Sequence, residues 1–417
     1  MRFNKLGKCA VILLPALAWL PVAALLSFEG AWMDSKVKRG DHSEFMNYAK
    51  QTMLTELEGN GALVLIENGK VVEQYYQAAT SSNNTVGFNV NGDTLFPTAS
   101  MSKLIAALAI HELAKQQKIK LSDPVGKHIS RWHLPQGDYD ADDVTVARLL
   151  SHTAGLTDGL GFGDYTEDEI LPSVIDTLRN PRSTNGKKVI EVGIQPGSEF
   201  QYSGGGYLIL ELLIEEATGE SYESWVKSNI LEPNGLRRSH FKFIDSVSNS
   251  SAFYDSLGRK VPSFQYASSA ATAFNATAID LVSLLQSIIA DPQLIEVLSM
   301  PMAEVMGAPI WGQGAMLYAP VSDDKFIIGH DGSNDPAINT SLRLNPETGD
   351  GYIALISGGQ TLASEIGFEW VLWQSGKPDF IYADRAITSS FLPMLVGGGG
   401  WIVLCFVYFR LTNRIGK

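Results

Sequence analysis

Ser100-Met101-Ser102-Lys103 sets a hydroxyl and an amine three residues apart, at the head of an apolar run, Leu104-Ile105-Ala106-Ala107-Leu108-Ala109-Ile110. On a helix this spacing puts both side chains on one face, about one turn apart. The free N–H groups and positive partial charge of a helix N-terminus then point at the serine. A buried amine is disfavoured as a cation, so its pKa falls and it can accept a proton near neutral pH. A serine hydroxyl, weak alone, becomes a nucleophile beside such a base. The pattern is short, and by itself it also describes an N-cap serine followed by a surface lysine.

Three further segments bear on that choice. Gln195-Pro196-Gly197-Ser198-Glu199-Phe200-Gln201-Tyr202-Ser203-Gly204-Gly205-Gly206-Tyr207 ends in a glycine-rich turn before a helical run. It would present the Tyr202 hydroxyl, which can donate or accept a proton, from a loop. Gly329-His330-Asp331-Gly332-Ser333-Asn334 ends a predicted strand, and Gly332 is expected to allow close backbone approach of a substrate. Leu149-Leu150-Ser151-His152-Thr153-Ala154-Gly155-Leu156 reads as structural, its polar groups satisfying buried backbone. Singly these signals are weak. A tyrosine before glycines is usually a packing residue.

Together, in this order, the motifs resemble the serine β-lactamase and penicillin-binding-protein superfamily. More closely they resemble its class C β-lactamase-related branch of D-aminopeptidases, carboxypeptidases and esterases. The resemblance covers about residues 45–375. It implies that Ser100 is acylated, that Lys103 is its amine partner, and that Tyr202 acts as general base or acid. It places His330, Gly332 and Ser333 on the strand edging the site. The backbone N–H groups of Ser100 and Ser333 would form the oxyanion hole. Acyl transfer needs such a set: nucleophile, proton acceptor, proton donor and paired N–H donors where negative charge develops.

Two departures stand out. The family's Tyr-x-Asn is Tyr202-Ser203-Gly204 here, so the side-chain amide that would grip a substrate is absent at Gly204. The cationic lysine of Lys-Thr-Gly is His330, whose charge is conditional near neutral pH. Both shift weight from β-lactams and D-Ala-D-Ala termini toward ester or other small amide substrates. A D-amino-acid-specific peptidase or carboxypeptidase acting on cell-wall peptides is the alternative within enzymes. A non-catalytic receptor or scaffold on the same fold is the alternative of another class, though a binding module has no need of Ser100, Lys103 and Tyr202 together. No cofactor is expected. His42, His111, His128, His133 and His240 lack metal-ligand spacing, and no metal is expected.

The elements that must position these residues read as an α+β body. Ser43–Leu57 is an amphipathic helix, and Gly61–Ile66 with Val71–Tyr76 is a hairpin about Glu67-Asn68-Gly69-Lys70. Helices follow at Val144–Ser151, Gly206–Gly219, Ser221–Leu231 and Thr277–Ala290. Antiparallel strands return at Phe326–His330, Asn339–Leu344 and Gly351–Ser357, and Thr361–Gln374 is a closing helix. This order predicts one antiparallel sheet built from both ends of the domain, with an all-helical insertion and flanking membrane helices; the family resemblance implies that this is the β-lactamase-like fold. The domain is placed at 44–380 after a linker at 27–43.

Both ends of the chain are apolar. Cys9–Leu26 holds 18 uncharged residues behind Arg2, Lys5 and Lys8, an anchor or signal peptide within 1–26. Phe391–Phe409 is an uncharged spanning candidate, and a basic tail, 410–417, carries Arg410, Arg414 and Lys417. Gly397–Gly400 would permit helix–helix association. Positive-inside logic puts both ends in the cytoplasm and the catalytic body on the periplasmic, extracytoplasmic side of an inner membrane. The 417-residue chain has net charge −13, and the body between the two runs holds 26 basic and 45 acidic residues. A body at net −19 argues against nucleic acid as a partner and leaves a small-molecule or peptide substrate. The only cysteines, Cys9 and Cys405, lie in the apolar ends, so a cysteine nucleophile in the body is excluded.

Overall fold

A computed structural model of the chain describes residues 5–415 apart from 80–87, 136, 160–163, 183–188, 242–243, 245–246 and 382. Its centre is an eight-stranded antiparallel sheet. The strands are β1 (Asn60–Glu67), β2 (Lys70–Gln77), β3 (Ala303–Val305), β4 (Ala308–Trp311), β5 (Met316–Pro320), β6 (Phe326–Asn334), β7 (Ile338–Asn345) and β8 (Asp350–Ser357). Their spatial order is β2-β1-β8-β7-β6-β5-β4-β3. The N-terminal hairpin joins the C-terminal strands where β1 pairs with β8, from Asn60 opposite Ser357 to Ile66 opposite Gly351. The sheet is thus built from both ends of the body.

Successive side chains in a strand point to opposite faces, and both faces here are covered. Ala62, Val64 and Ile66 of β1, with Ile353 and Leu355 of β8, enter the larger core with helices α3 (Ser102–Lys115), α4 (Gly204–Thr218) and α5 (Ala278–Ile289). Leu63, Leu65, Tyr352, Ala354 and Ile356 face the other way, onto α2 (His42–Glu56) and α6 (Leu362–Ser375). This is why β1, β7 and β8 are apolar or buried almost throughout. The hairpin helix α2 starts at Asp41, whose side chain accepts the Glu44 N–H, and Thr277 caps α5 by accepting the Asp280 N–H.

The structure revises several boundaries. The strand carrying His330 does not stop there; it runs to Asn334, paired residue by residue with β7. The run expected as one helix over Ser221–Leu231 is a short α-helix, Tyr222–Val226, continued by a π-turn, Lys227–Leu231. Strands β3, β4 and β5 and the helix Pro292–Ser299 were not legible in the sequence. The insertion is not all-helical, since three two-stranded ribbons pair within or across it: Leu95–Pro97 with Asn275–Thr277, Asp164–Tyr165 with Gln265–Tyr266, and Phe253–Tyr254 with Lys260–Val261. Each is two or three residues long, too short to show a period-2 pattern.

Among the described residues, two helical stretches are long and apolar enough to cross a membrane: Gly7–Phe28, mean hydropathy 2.4, within α1 (Lys5–Phe28), and Asp384–Leu411, mean hydropathy 1.9. The second joins α7 (Ala383–Met394), a π-turn at Leu395–Gly399 and α8 (Gly400–Ile415). Its helix begins well before the expected Phe391 because Asp384 and Arg385 are tolerated in its first turns, where Arg385 pairs with Glu369. The π-turn lies just after Pro393, which supplies no N–H to the helical ladder. The two stretches pack on each other. Trp19 Nε1–H donates to Pro393 O (2.8 Å), and Trp401 Nε1–H donates to Val11 O (3.1 Å). A Cβ on Gly397 would lie 2.2 Å from Trp19 Nε1, so this glycine admits an indole of the same chain, while Gly399 and Gly400 have open space.

Candidate active site

Ser100 does not sit in the first turn of an α-helix. It lies in a 3₁₀ turn, Ala99–Met101, that leads into α3 at Ser102. Ala99 is held at φ +50°, a conformation that L-residues with a Cβ seldom adopt. Neighbours fix the turn: the Thr98 N–H and Oγ1 both donate to Phe274 O (3.0 and 2.8 Å), and Ser102 Oγ donates to Ala99 O (2.7 Å). Thr340 Oγ1, from β7, donates to Thr98 O (2.8 Å).

The sheet approaches this turn closely. A Cβ on Gly332 would lie 2.1 Å from Thr98 O, 2.6 Å from Thr340 Oγ1 and 3.2 Å from Ser100 N. The glycine therefore makes room for the turn that carries Ser100, which corrects the expectation that it makes room for substrate. Asn339 Nδ2 donates to Gly332 O (3.1 Å) and keeps that strand in register. Ser333, the next residue, is exposed at the mouth of the strand.

Lys103 is 1% exposed. Its Nζ donates to Ser100 Oγ (3.3 Å) and to Ala271 O (2.9 Å), and lies 4.9 Å from the ring centre of Tyr202. Burial, partly offset by Asp158, pulls the ammonium down to about 7 from its usual 10.5. Tyr202 behaves oppositely. Burial raises its hydroxyl well above the ordinary tyrosine value, and a hydrogen bond with Ser100 recovers only part of that. At neutral pH the amine is the available base, and the phenol keeps its proton.

Tyr202 is presented by the N-terminus of α4. The next residue, Ser203, is the cap, its Oγ accepting the Gly206 N–H (2.8 Å) while donating to Asp158 Oδ1 (2.6 Å). Asp158 Oδ2 accepts the Gly205 N–H (2.8 Å). The Ser203 N–H donates to His152 Nδ1 (3.1 Å), and the His152 ring stacks on Tyr202 with centroids 4.2 Å apart. The segment around His152 is structural, as its sequence suggests, and what it supports is Tyr202. His152 at φ +58° and Trp311 complete the wall: Trp311 meets His152 at 4.7 Å and Tyr202 at 5.7 Å. Trp311 had no signal in the sequence, because β4 was not legible.

His330 is wholly buried against Trp311, ring centroids 5.3 Å apart, and is not a surface residue at the substrate edge. Its Nδ1–H donates to Asp331 O (2.7 Å), since a carbonyl can only accept. Burial and the nearby Lys103 lower its pKa to about 3. The charge read as conditional from the sequence is absent throughout the physiological range. Gly204 is buried in the first turn of α4, where its N–H donates to Gly159 O (3.2 Å), so it takes a place in the scaffold beside Tyr202. Ser100, Lys103, Tyr202, Gly332 and His330 converge, whereas the Gly204 N–H is engaged by Gly159 O. Among the described residues no group of three or more His, Cys, Asp or Glu is placed to hold a metal ion.

A beta-lactamase family model matches residues 52–373. Curated relatives include protein flp of Staphylococcus aureus strain N315, 23% identical over 70% of this chain and 58% of that protein. The putative penicillin-binding protein PbpX of Bacillus subtilis is 26% identical over 50% of this chain and 47% of its own length. The chain thus spans about half of the curated relatives it matches. Among solved structures, the octameric penicillin-binding protein homologue from Pyrococcus abyssi superposes with TM-score 0.65 at 25% identity, covering 83% of this chain and 81% of that one. The D-amino acid amidase of Ochrobactrum anthropi gives 0.59 at 19% identity, covering 85% and 98%. With three quarters of its length matched, and this fold beneath it, the chain belongs to the beta-lactamase family, within the serine β-lactamase and penicillin-binding-protein superfamily.

Proposed function

We propose that the protein is a membrane-tethered serine hydrolase that acts through an acyl-enzyme on Ser100, on an ester or small amide. The observation that carries this is the buried Lys103 amine, 3.3 Å from Ser100 Oγ and with its pKa brought near neutrality. Neutral Lys103 takes the Ser100 proton as Oγ attacks the substrate carbonyl carbon. Negative charge develops on the carbonyl oxygen, where the N–H groups of Ser100 and Ser333 are the candidate donors. The Tyr202 hydroxyl, protonated and hydrogen-bonded to Ser100, is positioned to pass a proton to the leaving alkoxide or amine and recover one from Lys103. Water then attacks the ester on Ser100 with the same groups in reverse.

Substrates carrying a free carboxylate are disfavoured by a neutral, buried His330, and Gly204 offers no amide to an acyl-amide group. This favours ester or simple amide hydrolysis over a D-amino-acid peptidase. A binding receptor on this fold would have no use for a lysine buried beside a serine. Ser100→Ala is expected to lower kcat/KM for p-nitrophenyl acetate by about 10⁴-fold or more, with Tm unchanged, and to abolish fluorophosphonate labelling seen by intact mass. Activity within tenfold of wild type would remove Ser100 from its role.

The apolar stretches 7–28 and 384–411, flanked outward by basic residues, support anchoring at both ends with the body outside the cytoplasm. A C-terminal alkaline phosphatase fusion is then inactive and a cytoplasm-requiring fluorescent protein bright. The reverse pattern refutes this topology.

A further inference from the structure

The segment that leaves the body for the C-terminal apolar helix is built into the sheet. Asp379 is completely buried and pairs with Arg343 Nη1 (Oδ2, 2.5 Å). The Phe380 N–H donates to Tyr318 O of β5 (2.6 Å), and the Ile381 N–H donates to Asp379 Oδ1 (2.9 Å). Residues 379–381 are therefore held against β5 and the Arg343 side chain immediately before α7.

The apolar side chains of this segment share a wall with the catalytic tyrosine. Phe380 and Ile381 pack against the buried cluster of Ala303, Ile310 and Trp311, as Phe200, Tyr202 and Met316 do. Phe200 lies 5.5 Å from the Trp311 ring centre. Ala303, Ile310 and Trp311 are buried, whereas Phe200, Tyr202, Phe380 and Ile381 remain partly exposed. The result is an aromatic and aliphatic surface beginning at the Tyr202 ring and ending at the helix that enters the apolar span. From Ile381 to Phe391, where Phe391, Leu392 and Leu395 become broadly exposed, is ten residues, or roughly 15 Å if helical.

We propose that Phe200, Phe380 and Ile381, backed by Trp311, form a subsite for the hydrocarbon chain of an amphiphilic ester that resides at the membrane surface. The inference rests on the reading of Ser100 as an ester-cleaving nucleophile and adds the substrate class. The polar ester reaches Ser100 while its chain lies along the wall toward the bilayer. Burial of each methylene favours binding, so selectivity grows with chain length. Water and short acyl groups gain nothing from the wall.

The test uses the full-length enzyme reconstituted in phosphatidylcholine vesicles, with p-nitrophenyl acetate, butyrate, hexanoate and octanoate. Wild type is expected to show kcat/KM rising along the series, by about tenfold or more from acetate to octanoate. The Phe380→Ala/Ile381→Ala double variant is expected to lose at least about tenfold more kcat/KM on octanoate than on acetate, mostly through KM. Phe380→Leu/Ile381→Val, which keeps the wall apolar, should retain the preference. A wild type that favours acetate, or a double variant that loses both esters equally, overturns the subsite while leaving ester hydrolysis standing. No cleavage of any ester in the series and no fluorophosphonate label on Ser100 overturns both readings. The wild-type chain-length series stands on its own if the alanine variant does not fold.

Discussion

The two faces of β6 treat ionisable groups in opposite ways. On the site face, His330, Lys103, Tyr202 and His152 are buried together with little counter-charge, and each is driven toward its neutral form. On the back face, one residue along the same strand, Asp331 meets Arg343 Nη2 at 2.8 Å and accepts from Ser341 Oγ (2.6 Å) and the Tyr318 hydroxyl (2.9 Å). Burial pushes the Asp331 carboxyl up, but Arg343 and these donors outweigh it and hold it below its ordinary value. Asp379, with fewer donors, is pushed up by burial to about 6 despite the same arginine. Burial is similar on the two faces; partners differ. A buried group with a partner stays charged and braces the sheet, while one without a partner becomes neutral and can move protons.

Breaking the back face is expected to have the largest effect. Arg343→Met leaves two carboxylates buried without their cation and should cost about 3–5 kcal/mol, read as a fall in stability by urea denaturation of the full chain in detergent. An unchanged midpoint would mean the ionic network does not brace the sheet. On the site face, Gly332→Ala forces a methyl group against Thr98 O and shifts the nucleophile turn. We expect kcat/KM for a short ester to drop about a hundredfold, since a displacement near 1 Å costs that much. A variant as active as wild type would show that the turn yields without consequence. The smallest effect sharpens the electrostatic contrast. Lys103 must be neutral to act as base, so kcat/KM should fall about tenfold per pH unit below about 7 and level off above it. His330, at about 3, should add no inflection between pH 5 and 8. A flat profile over that range would remove Lys103 as the base.

Much of this was legible because it is local. The apolar run Gly61–Ile66, the turn at Asn68-Gly69, the Thr277 cap and the apolar run after Lys103 each depend on neighbours in sequence, and each lies in the element expected. The back-face network was not legible, although Asn339, Ser341, Arg343 and Asn345 recur at every second position of β7. Such a pattern normally marks a solvated face, and only the cover of α6 makes it interior. The helix at Ser221–Leu231 was drawn as regular because a π-turn leaves no compositional mark.

The sequence by itself determined which chemistry was on offer: a serine and lysine one turn apart, a tyrosine before a glycine-rich helix start, a histidine where a lysine would be expected, and two apolar ends. Those are properties of residue type and spacing. Tertiary structure alone decided which of these groups carry charge and what each one touches. His330 is neutral because the fold buries it beside Lys103 with only a backbone carbonyl for company. Gly332 serves the Ser100 turn because the sheet and the turn meet there, from positions more than two hundred residues apart. Phe380 and Ile381 reach the wall of Tyr202 because Asp379 is held by Arg343. Desolvation and long-range contact have no counterpart in local sequence, so a pKa or a subsite emerges only once distant segments are packed together.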